Sequence, residues 1–231
     1  MKVHETFYSI QGEGVLQGLP MVFVRLQGCN FEKPCSWCDT TYAFAEVGKY
    51  EELTPDQVKK RIVDLLPYPG SWVCITGGEP LHQTEELHKL CKLLTEQGLY
   101  KVEIETNGSV KLPSWYSTVT SWCIDIKTPS SGNTNKDSKL IKEFFNLRNT
   151  DQIKFVVANE EDLEFASNII QLHPHFSPRV LISPVIPNLG EGWALDYQEW
   201  WQRCAEFCKE ERVRLSLQLH KLIWGIKKRG V

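Results

Sequence analysis

The feature that most constrains this chain is an alternation of two hydrophobic periods. Short apolar runs at residues 22–26, 72–76, 101–105, 122–126, 153–157, 180–183 and 215–219 read as strands. Between them lie stretches with helical spacing. Thr54 and Pro55 open a helix running to Leu66. Residues 83–97, ended by Gly98, place Leu87, Leu90, Cys91 and Leu94 on one face, and further helices are expected over 138–145, 160–172 and 195–211. Strands alternating with helices imply βαβ units, hence an α/β fold with a mostly parallel sheet shielded by helices. At 231 residues, 42% hydrophobic and 24% charged, the chain can bury one sizeable core, and residues 1–231 are expected to form a single domain.

In such folds ligands gather at the carboxyl ends of the strands. The polar oddities of this sequence all fall there. Gly28-Cys29-Asn30-Phe31-Glu32-Lys33-Pro34-Cys35-Ser36-Trp37-Cys38-Asp39-Thr40 follows the first run, and Thr76-Gly77-Gly78-Glu79-Pro80 the second. Glu105-Thr106-Asn107-Gly108 follows the third, Asp125-Ile126-Lys127 closes the fourth, and Ser183-Pro184-Val185-Ile186-Pro187 ends the sixth. Three thiolates are one fewer than structural zinc and ordinary iron–sulfur sites use, so a [4Fe-4S] cluster held by them keeps one iron open. A zinc knob completed by a distant histidine fits the spacing equally well. The paired glycines let backbone approach a ligand, whose amine a carbonyl oxygen and Glu79 could hold.

The net charge of -3 shows no basic surplus, which disfavours nucleic acid as a partner. The first residues lack the apolar core of a signal peptide, and no window has the length of a membrane span, so no membrane partner and a cytoplasmic location are expected. In that reducing compartment the eight cysteines are expected to be ligands or buried thiols. Cys204 and Cys208, four apart on a helix, read as core packing.

The cysteine loop together with Gly77-Gly78-Glu79-Pro80 resembles the radical S-adenosylmethionine (SAM) superfamily, although the usual C-x3-C-x2-C spacing is here C-x5-C-x2-C, read as a small bulge that keeps every ligand. The segments Phe7-Tyr8-Ser9-Ile10-Gln11-Gly12-Glu13-Gly14, Gly18-Leu19-Pro20, Phe23-Val24-Arg25-Leu26-Gln27-Gly28-Cys29, Cys35-Ser36-Trp37-Cys38-Asp39-Thr40 and Leu215-Ser216-Leu217-Gln218-Leu219-His220-Lys221 narrow this further. Together they resemble the 7-carboxy-7-deazaguanine synthase family of queuosine biosynthesis, over nearly the whole chain. The resemblance implies a partial (β/α)6-type radical SAM barrel, commonly a homodimer. The implied reaction converts 6-carboxy-5,6,7,8-tetrahydropterin into 7-carboxy-7-deazaguanine with loss of ammonia.

By the same resemblance Cys29, Cys35 and Cys38 hold the cluster, Thr40 contacts Mg2+, and Gly78, Asp125, Ile126 and Lys127 bind SAM. Ile10, Gln11, Gly12, Arg25 and Thr76 bind substrate, Arg25 suiting a carboxylate and Gln11 the donors and acceptors of a pterin. An electron from a donor such as flavodoxin or ferredoxin enters the cluster and cleaves SAM, and the resulting 5'-deoxyadenosyl radical takes hydrogen from the carbon bearing the carboxylate. No general base can be named. The chain departs from the family pattern after His220-Lys221, continuing Leu222-Ile223-Trp224-Gly225-Ile226-Lys227-Lys228-Arg229-Gly230-Val231, so no substrate role is carried to that segment. Two rival readings are a glycyl-radical activating enzyme, which needs no pterin-binding constellation, and a non-enzymatic iron–sulfur or zinc module, which binds no SAM.

Overall fold

Among the described residues, nine strands form one sheet in the order β3-β1-β2-β4-β5-β6-β7-β8-β9. They are β1 (Lys2–Ile10), β2 (Pro20–Leu26), β3 (Glu51–Glu52), β4 (Ser71–Gly77), β5 (Tyr100–Thr106), β6 (Ser121–Asp125), β7 (Gln152–Val157), β8 (Arg179–Pro184) and β9 (Arg214–Leu215). From β2 to β9 all neighbours are parallel, whereas β1 is antiparallel to both β2 and β3. The helices are α1 (Pro55–Leu65), α2 (Thr84–Thr95), α3 (Ser138–Phe145), α4 (Glu160–Gln171), α5 (Gln198–Glu211) and α6 (Leu219–Trp224). The computed structural model describes residues 1–45, 48–174, 179–186, 197–225 and 228–230. Pro187, the first residues of the helix expected over 195–211, and Ile226, Lys227 and Val231 lie outside them.

Local chemistry explains the boundaries. At α1 the Thr54 side chain accepts from Gln57 N, and Gln57 Oε1 accepts from Thr54 N at 2.8 Å, a reciprocal cap worth about 1 kcal/mol. The Asp137 and Asn159 side chains cap α3 and α4. Leu87, Leu90, Cys91 and Leu94 bury the expected face of α2. Cys204 and Cys208 are buried on α5.

Two expectations are corrected. Strand β1 was not anticipated, because its half-exposed, polar sequence carries little apolar alternation; pairing with β2 holds it in place. The strand expected over 215–219 stops at Leu215, since Leu219 N turns away to donate to Gly12 O at 2.8 Å and the chain coils into α6. The spacing of Leu215, Leu217 and Leu219 mimics a strand, but Leu215 is 38% exposed and packs no second sheet face.

The strands have two buried faces of different chemistry. Val22, Val24, Leu26, Val73, Ile75, Val102, Ile104, Ile124, Ile153 and Phe155 join the apolar core beneath the helices. The intervening residues, including Arg25, Thr76, Glu105, Asp125 and Lys154, face a cavity. In β5 the alternation of Val102 and Ile104 with Glu103 and Glu105 thus separates the apolar core from a polar face on which Glu103 is buried and Glu105 reaches the cavity, where period-two patterning more often separates core from solvent.

Candidate active site

The cavity, about 840 Å³, opens at the carboxyl ends of the parallel strands. The structure brings Ile10, Gln11, Gly12, Arg25, Cys29, Cys35, Cys38, Thr40, Thr76, Gly78, Asp125 and Lys127 to its lining, while Ile126 is buried in the core behind.

The cysteine loop is pinned at its start by Gly28 N to Ala43 O and Cys29 N to Phe44 O, both 2.9 Å, and between its last ligands by Cys38 N to Cys35 O at 3.0 Å. The second gap rests through Ser36 on a turn at Pro129–Ser131, and the longer first gap is held at Lys33 by the nearby Asn133. Ser36 N donates to Ser131 O at 3.0 Å, Ser36 Oγ to Ser130 O at 2.6 Å, and Asn133 Nδ2 to Lys33 O at 3.1 Å. That turn is anchored in its own right by the buried Asp162 of α4, which accepts from Ser130 N at 2.9 Å. Two amides point at sulfur: Asn107 Nδ2 lies 3.8 Å from Cys29 Sγ, and Asn133 Nδ2 lies 3.5 Å from Cys35 Sγ. Burial pushes both thiols up. The three residues fit a [4Fe-4S] cluster: they are half-buried thiols facing one cavity, and bound iron supplies the positive charge that makes them thiolates.

The glycine turn after β4 has a packing reason of its own. A Cβ on Gly78 would sit 2.0 Å from Gly28 O, and one on Gly77, whose φ is +141°, 2.2 Å from Leu26 O. The turn lies directly on the cysteine loop, fastened by Gly78 N to Leu26 O at 3.1 Å and Glu79 N to Gly28 O at 2.8 Å. Glu79 does not present itself to a ligand amine. Its buried carboxylate accepts from Leu81 N at 3.0 Å, Thr106 Oγ1 at 2.9 Å and Asn107 N at 2.7 Å, bracing this turn against the next one.

At the floor, Gln11 Nε2 donates to Glu103 Oε2 at 2.9 Å and Glu105 Oε1 at 3.1 Å, while Thr76 Oγ1 donates to Glu105 Oε2 at 2.7 Å. Cys74, Glu103 and Glu105 cluster closely enough to hold a metal ion, but the Gln11 NH2 group already sits among them, 3.8 Å from Cys74 Sγ. Burial, then the charge of Glu105, pushes the Glu103 carboxyl up. Gln11 therefore orients two acids with its side-chain amide. Arg25 Nε donates to Glu5 Oε1 at 2.7 Å, and its guanidinium lies 5.9 Å from the Phe7 and Tyr42 ring centroids.

A chain of alternating charge runs along the opposite wall. Lys127 Nζ donates to Asp125 Oδ2 at 2.7 Å, Lys154 Nζ lies 3.9 Å from the same oxygen, and Lys154 Nζ donates to Glu13 Oε2 at 2.5 Å. The sequence reading missed Glu13, Glu103 and Lys154. The available signals were a lysine inside the apolar run Ile153-Lys154-Phe155 and two acids on one strand face. Burial alone would raise the Glu13 carboxyl, but Lys154, the charge of His220 and hydrogen bonds from Lys154 and Gln218 outweigh it and hold its pKa at about 2, against 4.5 ordinarily. Because the folded value is depressed, this contribution is fully present above pH 4.5 and is lost as pH falls towards 2. Glu13→Gln is expected to cost on the order of 3 kcal/mol at pH 7, with a deficit that narrows below pH 4.5. Urea titrations of both proteins between pH 7 and pH 3 measure it; a pH-independent deficit would contradict the ion-pair assignment.

Residues 23–118 match the model of the radical SAM superfamily. The chain is 38% identical over 225 residues to a 7-carboxy-7-deazaguanine synthase of Methanospirillum hungatei, covering 96% of this chain and 85% of that one. It is 36% identical over 234 residues to a 7-carboxy-7-deazaguanine synthase of Clostridium acetobutylicum, covering 100% of this chain and 99% of that one. Among solved structures, QueE from Escherichia coli superposes with a TM-score of 0.72 at 23% identity, over 95% of this chain and 94% of that one. The partial radical SAM barrel is thus the fold of this chain. With identity above 30% along essentially its whole length, and three free thiols at the mouth of that barrel, the chain belongs to the 7-carboxy-7-deazaguanine synthase family.

Proposed function

We propose that the cavity is the reaction chamber in which 6-carboxy-5,6,7,8-tetrahydropterin is contracted to 7-carboxy-7-deazaguanine with loss of ammonia, in queuosine biosynthesis. The observation that carries this reading is the meeting, in one cavity of a chain of this family, of the three-cysteine loop, the Gly77-Gly78 turn and the Gln11–Arg25 wall. The enzyme is a radical SAM lyase that uses a [4Fe-4S] cluster and SAM. When bound, these two supply a 5'-deoxyadenosyl radical by one-electron cleavage of SAM.

In this reading Cys29, Cys35 and Cys38 are the iron ligands, with the Asn107 and Asn133 amides directed at two of the sulfurs. Gly78 and the Asp125–Ile126–Lys127 segment form the SAM side, where Lys127 offers a cation already oriented by Asp125. Arg25 takes the substrate carboxylate on its terminal nitrogens, since Glu5 engages Nε and fixes the plane of the fork. Ile10, Gln11 and Gly12 shape the pterin floor: Gln11 N donates to Leu19 O and Gly18 N to Gln11 O, both 2.8 Å. Thr76 and Gln11 hold Glu105 with its carboxylate facing the cavity. These contacts would orient bound substrate, and a floor closed to water would suppress side reactions of the chemistry the cluster and SAM supply. Thr40, with Oγ1 3.6 Å from Cys38 Sγ, is the Mg2+-contacting hydroxyl, the ion taking its other ligands from substrate and water. The reading takes residues 1–231 as one catalytic domain on the single nine-stranded sheet, acting as a homodimer and reduced by a flavodoxin or ferredoxin.

The test is anaerobic incubation with SAM, a reductant and carboxytetrahydropterin, in which formation of 7-carboxy-7-deazaguanine is expected and its absence from cluster-replete protein would defeat the reading. Arg25→Lys keeps the charge but loses the bidentate geometry, worth roughly 1.5–3 kcal/mol. Turnover is expected to fall by about ten- to a hundred-fold with cluster content and SAM binding unchanged. Normal turnover, or loss of the cluster together with activity, would move the carboxylate site elsewhere.

A further inference from the structure

The segment from Ser216 to Lys221 clasps the N-terminal loop. Gly14 N donates to Ser216 Oγ at 2.8 Å, Gln17 Nε2 to Leu217 O at 2.6 Å, and Leu219 N to Gly12 O at 2.8 Å. The His220 ring lies so close to Gly12 that a Cβ there would meet Nδ1 at 2.2 Å. From the same stretch a second set of contacts reaches the cysteine loop. Lys221 Nζ lies 3.1 Å from Asp39 Oδ2, and His220 Nε2 lies 3.7 Å from the same oxygen. Asp39 sits between the ligand Cys38 and Thr40. Lys221 Nζ also donates to Gln218 Oε1 at 3.0 Å, and Gln218 Nε2 donates to Glu13 Oε1 at 2.9 Å. A continuous line of polar contacts therefore joins the loop of iron ligands to the substrate floor.

The two ends of the Lys221–Asp39 pair are not equivalent. The lysine side chain is 4% exposed and held on α6, whereas the aspartate is 38% exposed on a loop. A buried ammonium without a counter-charge is costly, so the fixed cation dictates where the loop carboxylate must come. Gln218 is pinned separately, by Ile186 N at 2.9 Å, which keeps the lysine from following the loop.

We infer that Lys221 is a positioning residue: through Asp39 and Gln218 it holds the cysteine loop and the Gln11–Glu13 segment in one register, so that the radical is delivered to the substrate and not to solvent or protein. This rests on the functional reading above. Its test uses the full chain, purified anaerobically, as Lys221→Met, Asp39→Asn and the double variant. The measurements are iron per chain, the electron paramagnetic resonance spectrum of the reduced cluster with SAM, and the ratio of 5'-deoxyadenosine to deazaguanine product. Lys221→Met is expected to keep wild-type iron, shift the spectrum, and raise the ratio about ten-fold through a lower kcat for product at little-changed KM. The double variant should be no worse than the poorer single one, because both remove the same contact, and Lys221→Arg should restore most of the coupling. A wild-type ratio and spectrum in Lys221→Met, or effects that multiply in the double variant, would overturn the inference while leaving the function intact. Should Lys221→Met fail to fold, Asp39→Asn at its half-exposed loop position decides the matter by the same ratio. Wild-type protein that forms no product despite a full cluster would bring down the functional reading and the inference together.

Discussion

Cys29→Ala, Cys35→Ala and Cys38→Ala are each expected to abolish SAM cleavage, whereas Cys204→Ala and Cys208→Ala should leave it intact. The difference is one of place. The first three thiols are half-buried at the cavity, while Cys204 and Cys208 are buried on α5 among the core. Removing one ligand of three leaves two irons of the cluster without protein thiolate, and no described cysteine replaces it on the loop. Removing a core sulfur costs only about 1–2 kcal/mol of stability. Iron and sulfide analysis with a SAM-cleavage assay under reductant reads both outcomes. Stoichiometric zinc without iron in carefully anaerobic protein would end the radical assignment.

Gly78→Ala is expected to be nearly as severe, by a different route. The added methyl would stand 2.0 Å from Gly28 O and 2.8 Å from Cys29 N, both backbone atoms with no rotamer to give way. The turn after β4 must then lift from the cysteine loop, breaking Glu79 N to Gly28 O and displacing Cys29. Overpacking of this kind costs typically 1–3 kcal/mol, a fall in Tm of roughly 2–12 °C for a chain of this size. Activity should fall at least about a hundred-fold, since a misplacement of about 1 Å suffices for that. Gly70→Ala is the control: its φ is +80°, but nothing lies within 4 Å, so it pays backbone strain of about 1 kcal/mol and keeps its cluster. Wild-type iron content and turnover in Gly78→Ala would show that the contact between the two loops is dispensable.

What could be read from the sequence follows from how local each signal is. Parallel strands buried on both sides are dense apolar runs, and the cysteine spacing, the glycine pair and the Thr54 cap depend on neighbours in sequence. Strand β1 escaped because its evidence is a partner, β2, and not its own pattern. The end of β9 was misjudged because Leu217 and Leu219 keep strand spacing while a contact with Gly12 pulls the chain out of the sheet. Glu79 was misassigned for the same reason: its neighbours at Thr106 and Asn107 come from another strand, and nothing in Gly77-Gly78-Glu79-Pro80 shows them. Lys154, Glu13 and Lys221 belong to charge pairs that are 141 and 182 residues apart in the chain, which only folding brings together.

The two-faced strands also set where this chain can tolerate a change in length. Side chains alternate, and the register pairs Arg25 with Thr76 and Cys74 with Glu103 across β2, β4 and β5. One residue inserted within β4 would turn Thr76 into the core and Ile75 into the cavity, exchanging reactive wall for hydrocarbon along the rest of the strand. One residue inserted in the exposed 67–70 connection, at the opposite end of the barrel, would be taken up before the register begins. Insertions should therefore be rejected within the strands and tolerated in connections such as 67–70, a pattern that deep insertional scanning of this gene would reveal.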